Sequence, residues 1–378
     1  MRIGIDYTPA VRQGAGIGRY TRGLIGALAE LDRENSYRLF VAARGVSTAS
    51  VPRAANWRPC LAPLTDRETS LLWQRLRLPL PVELFLGPLD LFHSPDFVLP
   101  PVLRARTVLT VHDLSFLRVP QYAHPVLRAY LERVVPRSVR RADLILADSE
   151  NTRRDVMELL SVPGERVRVI YPGVEARFRR VTDPAVLAAV RARYGLERPF
   201  ILGLGTLEPR KNWPGLIEAY GRLVQGGRVP HDLVIVGGKG WLYEPIFQKV
   251  EELGLGQRVR FAGHARDEDL PALYSLAACL AYPSFYEGFG IPVIEAMACG
   301  TPVVTAPISS LPEAGGEAAL YAEPGDADAL ADALERAIGD EALRGRLRQA
   351  GQVQASRFTW QGAAVQLLAA YRAVMGSA

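Results

Sequence analysis

IGIDYTP (residues 3–9), followed by GAGIGRYTRGLIGALAEL (14–31), sets the pattern of the whole chain. The first run reads as a short strand. The second opens on glycines and continues as a helix, with Tyr20, Leu24, Ala27, Leu28 and Leu31 on one face at three-and-four spacing. YRLFVAA (37–43), LDLFHSPD (89–96), RTVLTVHDLSF (106–116), ADLILADSE (142–150) and VRVIYPGV (167–174) then repeat the strand-like theme. Each apolar run is short and ends in polar residues, glycine or proline. That is the signature of β/α units on a parallel sheet, whose strands are buried on both faces. Residues 48–88, rich in proline and without a clear period, are the least readable part.

A second series starts at PFILGLGTLEPRKN (199–212) and runs through LVIVGGKG (233–240), RVRFAGHA (258–265), ACLAYPS (278–284), PVVTAP (302–307) and AALYAEP (318–324). Helical segments are expected between them at 213–225, 241–254, 267–277 and 292–299. The expected fold is α/β, with two doubly wound Rossmann-like domains facing each other across a cleft. We expect an N-terminal domain at 1–185, a C-terminal domain at 186–357 and a closing helical segment at 358–378. Ligands of such sheets bind outside the C-terminal ends of the strands, so the loops there carry the functional reading.

Composition narrows the class. The chain has 378 residues, 48% of them hydrophobic and 22% charged, which suits two globular domains. No run of about 18 apolar residues suggests a membrane span. The opening MRIGIDYTPAV lacks a charged stretch followed by an apolar one, so no signal peptide is expected. Cys60, Cys279 and Cys299 are few, odd in number and far apart, which fits a reducing cytoplasm and neither a disulfide scaffold nor a zinc site. Charge is uneven: residues 1–185 carry 27 arginines against 19 acids, a net of +8, and the remainder carries 18 cations against 21 acids, a net of −3. The front half therefore suits an anionic partner, such as a membrane surface or a phosphorylated substrate; a merely solvated arginine-rich surface is the alternative. Lysine occurs only at 211, 239 and 249.

Four loops carry chemistry. In QGAGIGRY (13–20), Gly14, Gly16 and Gly18 lie between a strand and a helix, where backbone N–H groups can meet an anion. The spacing differs from the dinucleotide fingerprint, and a tight structural turn is the alternative. In TVHDLSF (110–116), His112 stands at a strand's C-terminal end, where it can meet a substrate hydroxyl or phosphate; His93 in LFHSPD competes for that role. In GTLEPRKN (205–212), Arg210 and Lys211 precede a helix that starts near Trp213–Pro214, a convergence suited to a diphosphate. Finally, YEGFGIPVIEAMACG (286–300) puts Glu287 before and Glu295 within a helix whose first turn holds Pro292. Gly288 and Gly290 free the backbone between the two acids. An acid on either side of a phosphate-binding turn fits a ligand with hydroxyls at both ends and a diphosphate in the middle, the form of a nucleotide diphosphate sugar.

EGFGIPVIEAMACGTPVV resembles the E-x7-E region of the retaining glycosyltransferases of family 4, which have the GT-B fold, and the likeness covers essentially the whole chain. GAGIGRYTRGL is similar to the family's glycine loop, ADSENTRRD to its S-x-x-T segment, and VIYPGVE to its linker region. GTLEPRKN, from Gly205 to Asn212, matches its G-x-x-x-x-R-K-N donor motif. VHDLSF followed by Pro120 is most similar to mannosyltransferases of bacterial surface polysaccharide synthesis. The resemblance implies that Arg210 and Lys211 bind the donor diphosphate and stabilise the leaving nucleotide. Backbone at Gly288, Phe289, Gly290 and Ile291, with Gly16, would complete the cradle; Glu295 would hold the ribose, Glu287 the transferred sugar, and His112 would lie beside the reacting carbon. It further implies retention by a front-face route and no metal or cofactor, with the nucleotide sugar, best guessed as GDP-mannose, as donor substrate. The other partner would be a glycan or lipid-linked acceptor, with no nucleic acid. The place would be the cytoplasm, with a peripheral contact at the membrane's inner face. Crossings between domains are expected near 175–195 and 355–360, with the last helix returning to the first domain.

The rival readings are a sugar-nucleotide epimerase or hydrolase on a similar two-sheet fold, and a noncatalytic nucleotide-sugar binding module. The first needs an added acid–base pair in the cleft. The second has no need of two glutamates, an Arg-Lys pair and a cleft histidine together. The loop GHARDED (263–269) is a candidate for base contacts, and residues 48–88 and 117–135 for the acceptor side.

Overall fold

The computed structural model describes residues 1–14, 16–47, 51–52 and 54–376. Ala15 of the glycine loop, 48–50 and 53 of the unpatterned stretch, and 377–378 of the final segment lie outside the described residues. The chain divides into two units, one of Met1–Leu117, Val126–Gly173 and Thr359–Ala378, the other of Arg118–Pro125 and Val174–Phe358.

The first unit holds a seven-stranded parallel sheet made of β1 (Arg2–Asp6), β2 (Ser36–Ala42), β3 (Trp57–Ala62), β4 (Leu91–Ser94), β5 (Arg106–Val111), β6 (Leu144–Ala147) and β7 (Val167–Val169), in the order β3-β2-β1-β4-β5-β6-β7. In register, Ile5 pairs with Leu39 on one side and His93 on the other. The order reverses at β1, so the polar residues that follow β1, β4, β5 and β6 emerge along one edge. Helix Gly16–Leu31 buries Tyr20, Leu24, Ile25 and Leu28. It shares one core with Trp360, Leu367 and Tyr371 of the final helix, Trp360–Gly376. Strand β3 is the element that the sequence pattern hides. It is an edge strand in which only Trp57 and Ala62 are buried, and Pro59 sits where a central strand could not hold it.

The second unit holds a six-stranded parallel sheet of β8 (Phe200–Leu204), β9 (Asp232–Val236), β10 (Val259–Gly263), β11 (Cys279–Tyr282), β12 (Val303–Thr305) and β13 (Ala319–Tyr321), ordered β10-β9-β8-β11-β12-β13. Its helices include Trp213–Gln225, Glu244–Glu252, Leu270–Leu276 and Ile291–Ala298, each within a few residues of the segment expected. Leu216, Ile217, Tyr220 and Leu223 of the first of these pack into the core around β8, β9 and β11.

The chain leaves the first unit at Gly173 and not at 185, and returns to it at Thr359. Residues 174–185 run with the second unit because their side chains and backbone pack there: Phe178 meets the Tyr274 ring at 6.0 Å, and the Val181 N–H donates to Ser275 Oγ at 2.9 Å. The polar stretch expected as a boundary instead forms helix Pro184–Tyr194, capped by Asp183 and ended at left-handed Gly195. Glycine at 173 has a steric cause. A Cβ there would lie 2.2 Å from the Trp360 backbone nitrogen, so only glycine lets these two strands of chain run so close.

Candidate active site

In the second unit the site grows from the end of β8. Gly205 follows that strand at φ 149°, and a Cβ on it would sit 3.3 Å from Lys211 Cε, so the glycine leaves room for the lysine stem. Residues Pro209–Lys211 form one turn of 3-10 helix, Asn212 turns through the left-handed region, and helix Trp213–Gln225 begins. The turn is held from both sides: Trp213 Nε1 donates to the Thr206 carbonyl, and Asn212 Nδ2 to the Pro324 carbonyl. It carries Lys211 inward, leaving that residue only 9% exposed.

Lys211 Nζ donates to Glu287 Oε1 at 2.6 Å and to the Tyr282 hydroxyl at 2.7 Å. Arg210 donates from one terminal nitrogen to Glu287 Oε2 at 3.0 Å and to the Tyr286 carbonyl at 2.7 Å, and from the other to Glu208 Oε1 at 2.8 Å. Glu287 is buried, which by itself pushes its carboxyl up; Arg210 and Lys211 outweigh that and hold it down at about 2. The carboxylate therefore has a structural duty that its place in the sequence conceals: it is the counter-ion of both cations. Its backbone is pinned as well, the N–H donating to Ser309 Oγ and the carbonyl accepting from Ser310 Oγ.

Beyond Glu287 the chain reaches Gly290, at φ 100°, which caps helix Ile291–Ala298. A Cβ at Gly290 would meet Leu311 Cδ2 at 2.9 Å. The ring of Phe289 is buried against Phe358 at 5.1 Å, so this residue can offer a ligand only its backbone. Glu295 sits in the second turn of the helix, 1% exposed, and accepts from the Tyr274 hydroxyl at 3.0 Å. The structure thus gathers Gly205, Arg210, Lys211 and Glu287 into one cluster, with Glu295 held separately by Tyr274.

In the first unit, His112 follows β5. Its Nε2 lies 3.0 Å from the Pro95 carbonyl and its Nδ1 2.8 Å from Asp148 Oδ2. A carbonyl can only accept, so Nε2 carries a proton, and a proton on Nδ1 completes the contact with the carboxylate. Burial pulls the imidazole down, but Asp148, then Asp96 and the Pro95 carbonyl, raise it to about 9, so His112 is an imidazolium with both N–H groups engaged inside the protein. The Tyr20 ring stands edge-on to it, with the ring centroids 4.8 Å apart. His93, the competing histidine, is fully buried between the Tyr371 hydroxyl at 2.7 Å and Thr110 Oγ1 at 2.9 Å. Burial, then the positive His112, hold it down at about 3, which makes it a neutral link between the final helix and the sheet. The ADSENT motif is explained by local structure: Ser149 caps helix Glu150–Leu160 by accepting the Thr152 N–H, and the Thr152 hydroxyl donates to the His112 carbonyl.

The three glycines of the first loop separate. A Cβ on Gly18 would lie 1.8 Å from the Gln13 carbonyl oxygen, so Gly18 serves packing, whereas Gly14 and Gly16 have open space where a Cβ would be. Glu208, Tyr282, Tyr274 and Asp148 are the site residues that the sequence reading did not pick. Tyr282 and Asp148 both stand at or just past a strand's C-terminal end, the same signal that selects His112.

Two parallel sheets, each with a polar loop cluster at its C-terminal edge and one with a paired cation turn beside a helix N-terminus, are the architecture of the GT-B class of glycosyltransferases. The chain belongs to glycosyltransferase family 4. The model described as Glycosyltransferase Family 4 matches residues 14–178, and that described as Glycosyl transferases group 1 matches 190–354. The chain is 35% identical over 369 residues to O-antigen chain mannosyltransferase B of Escherichia coli, covering 94% of this chain and 96% of that one. It is 33% identical over 266 residues to the serotype-specific mannosyltransferase WbdA of Escherichia coli, covering 68% of this chain and 32% of that longer one. In fold it is similar to the sucrose-phosphate synthase of Thermosynechococcus elongatus, at a TM-score of 0.79 and 24% identity over 100% of both chains.

Proposed function

We propose that this glycosyltransferase moves mannose from GDP-mannose to a glycan or lipid-linked acceptor of a surface polysaccharide, with retention at the anomeric carbon. The observation that carries the reading is the buried Arg210–Lys211–Glu287 cluster at the end of β8, in a chain related along nearly its full length to an O-antigen chain mannosyltransferase. Arg210 and Lys211 would face the donor diphosphate and take up the negative charge that grows on it as the glycosidic bond breaks. The backbone of Gly288, Gly290 and Ile291 at the helix N-terminus would add N–H donors to the same phosphate. Glu287, already anchored by its two cations, would accept hydrogen bonds from sugar hydroxyls, and Glu295 from the ribose. The imidazolium of His112 would lie beside the sugar. The departing phosphate oxygen would accept the proton of the acceptor hydroxyl on the face from which it leaves, so that configuration is kept. These fixed cations supply the charge compensation, so the reaction would proceed with no metal or other cofactor.

The test is a thermal-shift screen of GDP, UDP and ADP with their sugars, followed by NMR of the product's anomeric signal. Stabilisation by GDP in proportion to its concentration, turnover of GDP-mannose undiminished by EDTA, and an α-linked product are expected. Preference for another nucleotide sugar overturns the donor assignment, and an inverted product overturns the route.

A further inference from the structure

The two cations after β8 are held in different ways. Arg210 meets two carboxylates, Glu208 and Glu287. Lys211 shares Glu287 and takes a neutral group as its second partner, the Tyr282 hydroxyl at 2.7 Å. Tyr282 is the last residue of β11 and is 3% exposed. That strand lies between β8 and β12, with Ala281 in register with Gly203 and Tyr282 with Thr305. The Tyr282 carbonyl also accepts from Thr305 Oγ1 at 2.8 Å. The phenol therefore stands on the interior of the sheet, whereas Glu287 stands on a loop. Burial, and then the Glu287 charge, push the phenol well above its ordinary range, so it keeps its proton.

Charge explains why the second partner is neutral. Arg210 and Lys211 supply two positive charges, and Glu208 and Glu287 supply two negative ones, so the four balance. Another acid in the place of Tyr282 would make the cluster anionic and repel a phosphate. A phenol grips the lysine with no charge of its own. Direction matters as well. An ammonium has three N–H donors. Those of Lys211 go to Glu287 Oε1 and to the Tyr282 hydroxyl, and the third meets no acceptor among the described residues. Two fixed N–H groups set the direction of the third. That gives a flexible point charge the orientation that lysine otherwise lacks.

We propose that Tyr282 is a positioning residue for the transfer: it holds the Lys211 ammonium so that the third N–H faces the donor phosphate, and it does so without neutralising the lysine. The inference rests on the reading of Lys211 as a phosphate ligand. It adds that the lysine acts through its direction as well as its charge. Removing the hydroxyl leaves the charge in place, so donor binding should survive while stabilisation of the developing anion falls.

The rarity of lysine supplies a direct probe. In the full chain, lysine labelled with heavy nitrogen gives NMR ammonium signals from residues 211, 239 and 249 alone, and Lys211→Arg identifies the one that belongs to Lys211. A buried, doubly bonded ammonium should exchange its protons with water slowly. Tyr282→Phe should speed that exchange by about tenfold or more, the order of one hydrogen bond to a charged group. Lys239 and Lys249 should not respond. The same variant should lose about tenfold in kcat, with the donor KM and the melting temperature nearly unchanged. Equal exchange at Lys211 in wild type and variant overturns the proposal, as does faster exchange with an unaltered kcat. So does a variant that melts far lower and disturbs all three lysine signals, because Tyr282 would then be a packing residue. Failure of the underlying reading looks different: a wild type that turns over no nucleotide sugar refutes the donor assignment, while exchange at Lys211 still reports whether Tyr282 holds it.

Discussion

Lys211 and Glu287, 76 residues apart in the chain, meet at 2.6 Å, and the second oxygen of the same carboxylate takes Arg210 at 3.0 Å. One acid thus fixes both cations. Removing it leaves the buried Lys211 without a carboxylate partner and Arg210 with Glu208 alone, a change that costs about 3–5 kcal/mol where a buried pair is broken from one side. Glu287→Gln keeps the shape and removes the charge. It should lower thermal stability strongly, and GDP should restore part of the loss by returning negative charge to the cations. A Glu287→Gln protein that melts like the wild type would show that the triad is not an electrostatic unit.

Arg210 spreads three hydrogen bonds over Glu208, Tyr286 and Glu287. A lysine keeps the charge but cannot make that fork. Arg210→Lys should therefore fold with nearly native stability, yet lose about 100-fold in kcat, the order seen when one preorganised donor to a developing anion is removed. A change confined to KM would assign Arg210 to ground-state binding alone.

The acid Glu287 shows where sequence reading stops. His112 is legible as a candidate because it ends a short apolar run at a strand's C-terminal end, where α/β sheets bind ligands, and Arg210 and Lys211 because two adjacent cations precede a helix start in the loop after another strand. That Glu287 is the counter-ion of Arg210 and Lys211 is not legible, because the contact is made by tertiary structure across two loops with no periodic trace. Asp148 was within reach: it ends ADLILAD as His112 ends TVLTVH, and the strand-end argument applies to both. Strand β3 was out of reach because an edge strand with only Trp57 and Ala62 buried has no alternation to detect. The boundary was misplaced for a related reason. The polarity of 180–198 marks an exposed helix, Pro184–Tyr194, and a surface helix and a linker have similar compositions.

The pair His112–Asp148 gives a pH signature. Asp148 and Asp96 face the imidazolium, with neutral His93 and the buried Tyr20 as the other titratable neighbours. The folded-state value is raised to about 9, against about 6.5 for an unperturbed histidine. The native state thus binds more protons between these values, so the pair's contribution is complete below about 6.5 and is lost as pH rises through about 9. Asp148→Asn removes the charge that holds the proton, and burial then favours neutral imidazole. Melting curves across this range should show the wild type losing stability with rising pH and Asp148→Asn starting lower with a flatter dependence. With a purely structural Asp148, the Asp148→Asn curve would lie below the wild type by the same amount at every pH. As a positioning residue it should also move the alkaline limb of the kcat profile downward in pH.

Gly16 and Gly18, two residues apart in one loop, should respond oppositely to the same methyl group. Gly18→Ala puts a Cβ 1.8 Å from the Gln13 carbonyl oxygen, a clash with backbone that only movement of the helix start can relieve. Overpacking of this kind costs about 1–3 kcal/mol, so the variant should melt lower. Its donor KM should change only as far as the helix start moves. Gly16→Ala meets nothing within 4 Å in the protein, so its melting temperature should match the wild type. If the Gly16 backbone approaches the donor phosphate, the added methyl group occupies the ligand's space, and the donor KM should rise while unliganded stability stays constant. A Gly16→Ala enzyme with unchanged KM and kcat would remove Gly16 from the donor site and leave the first glycine loop as a strand–helix turn.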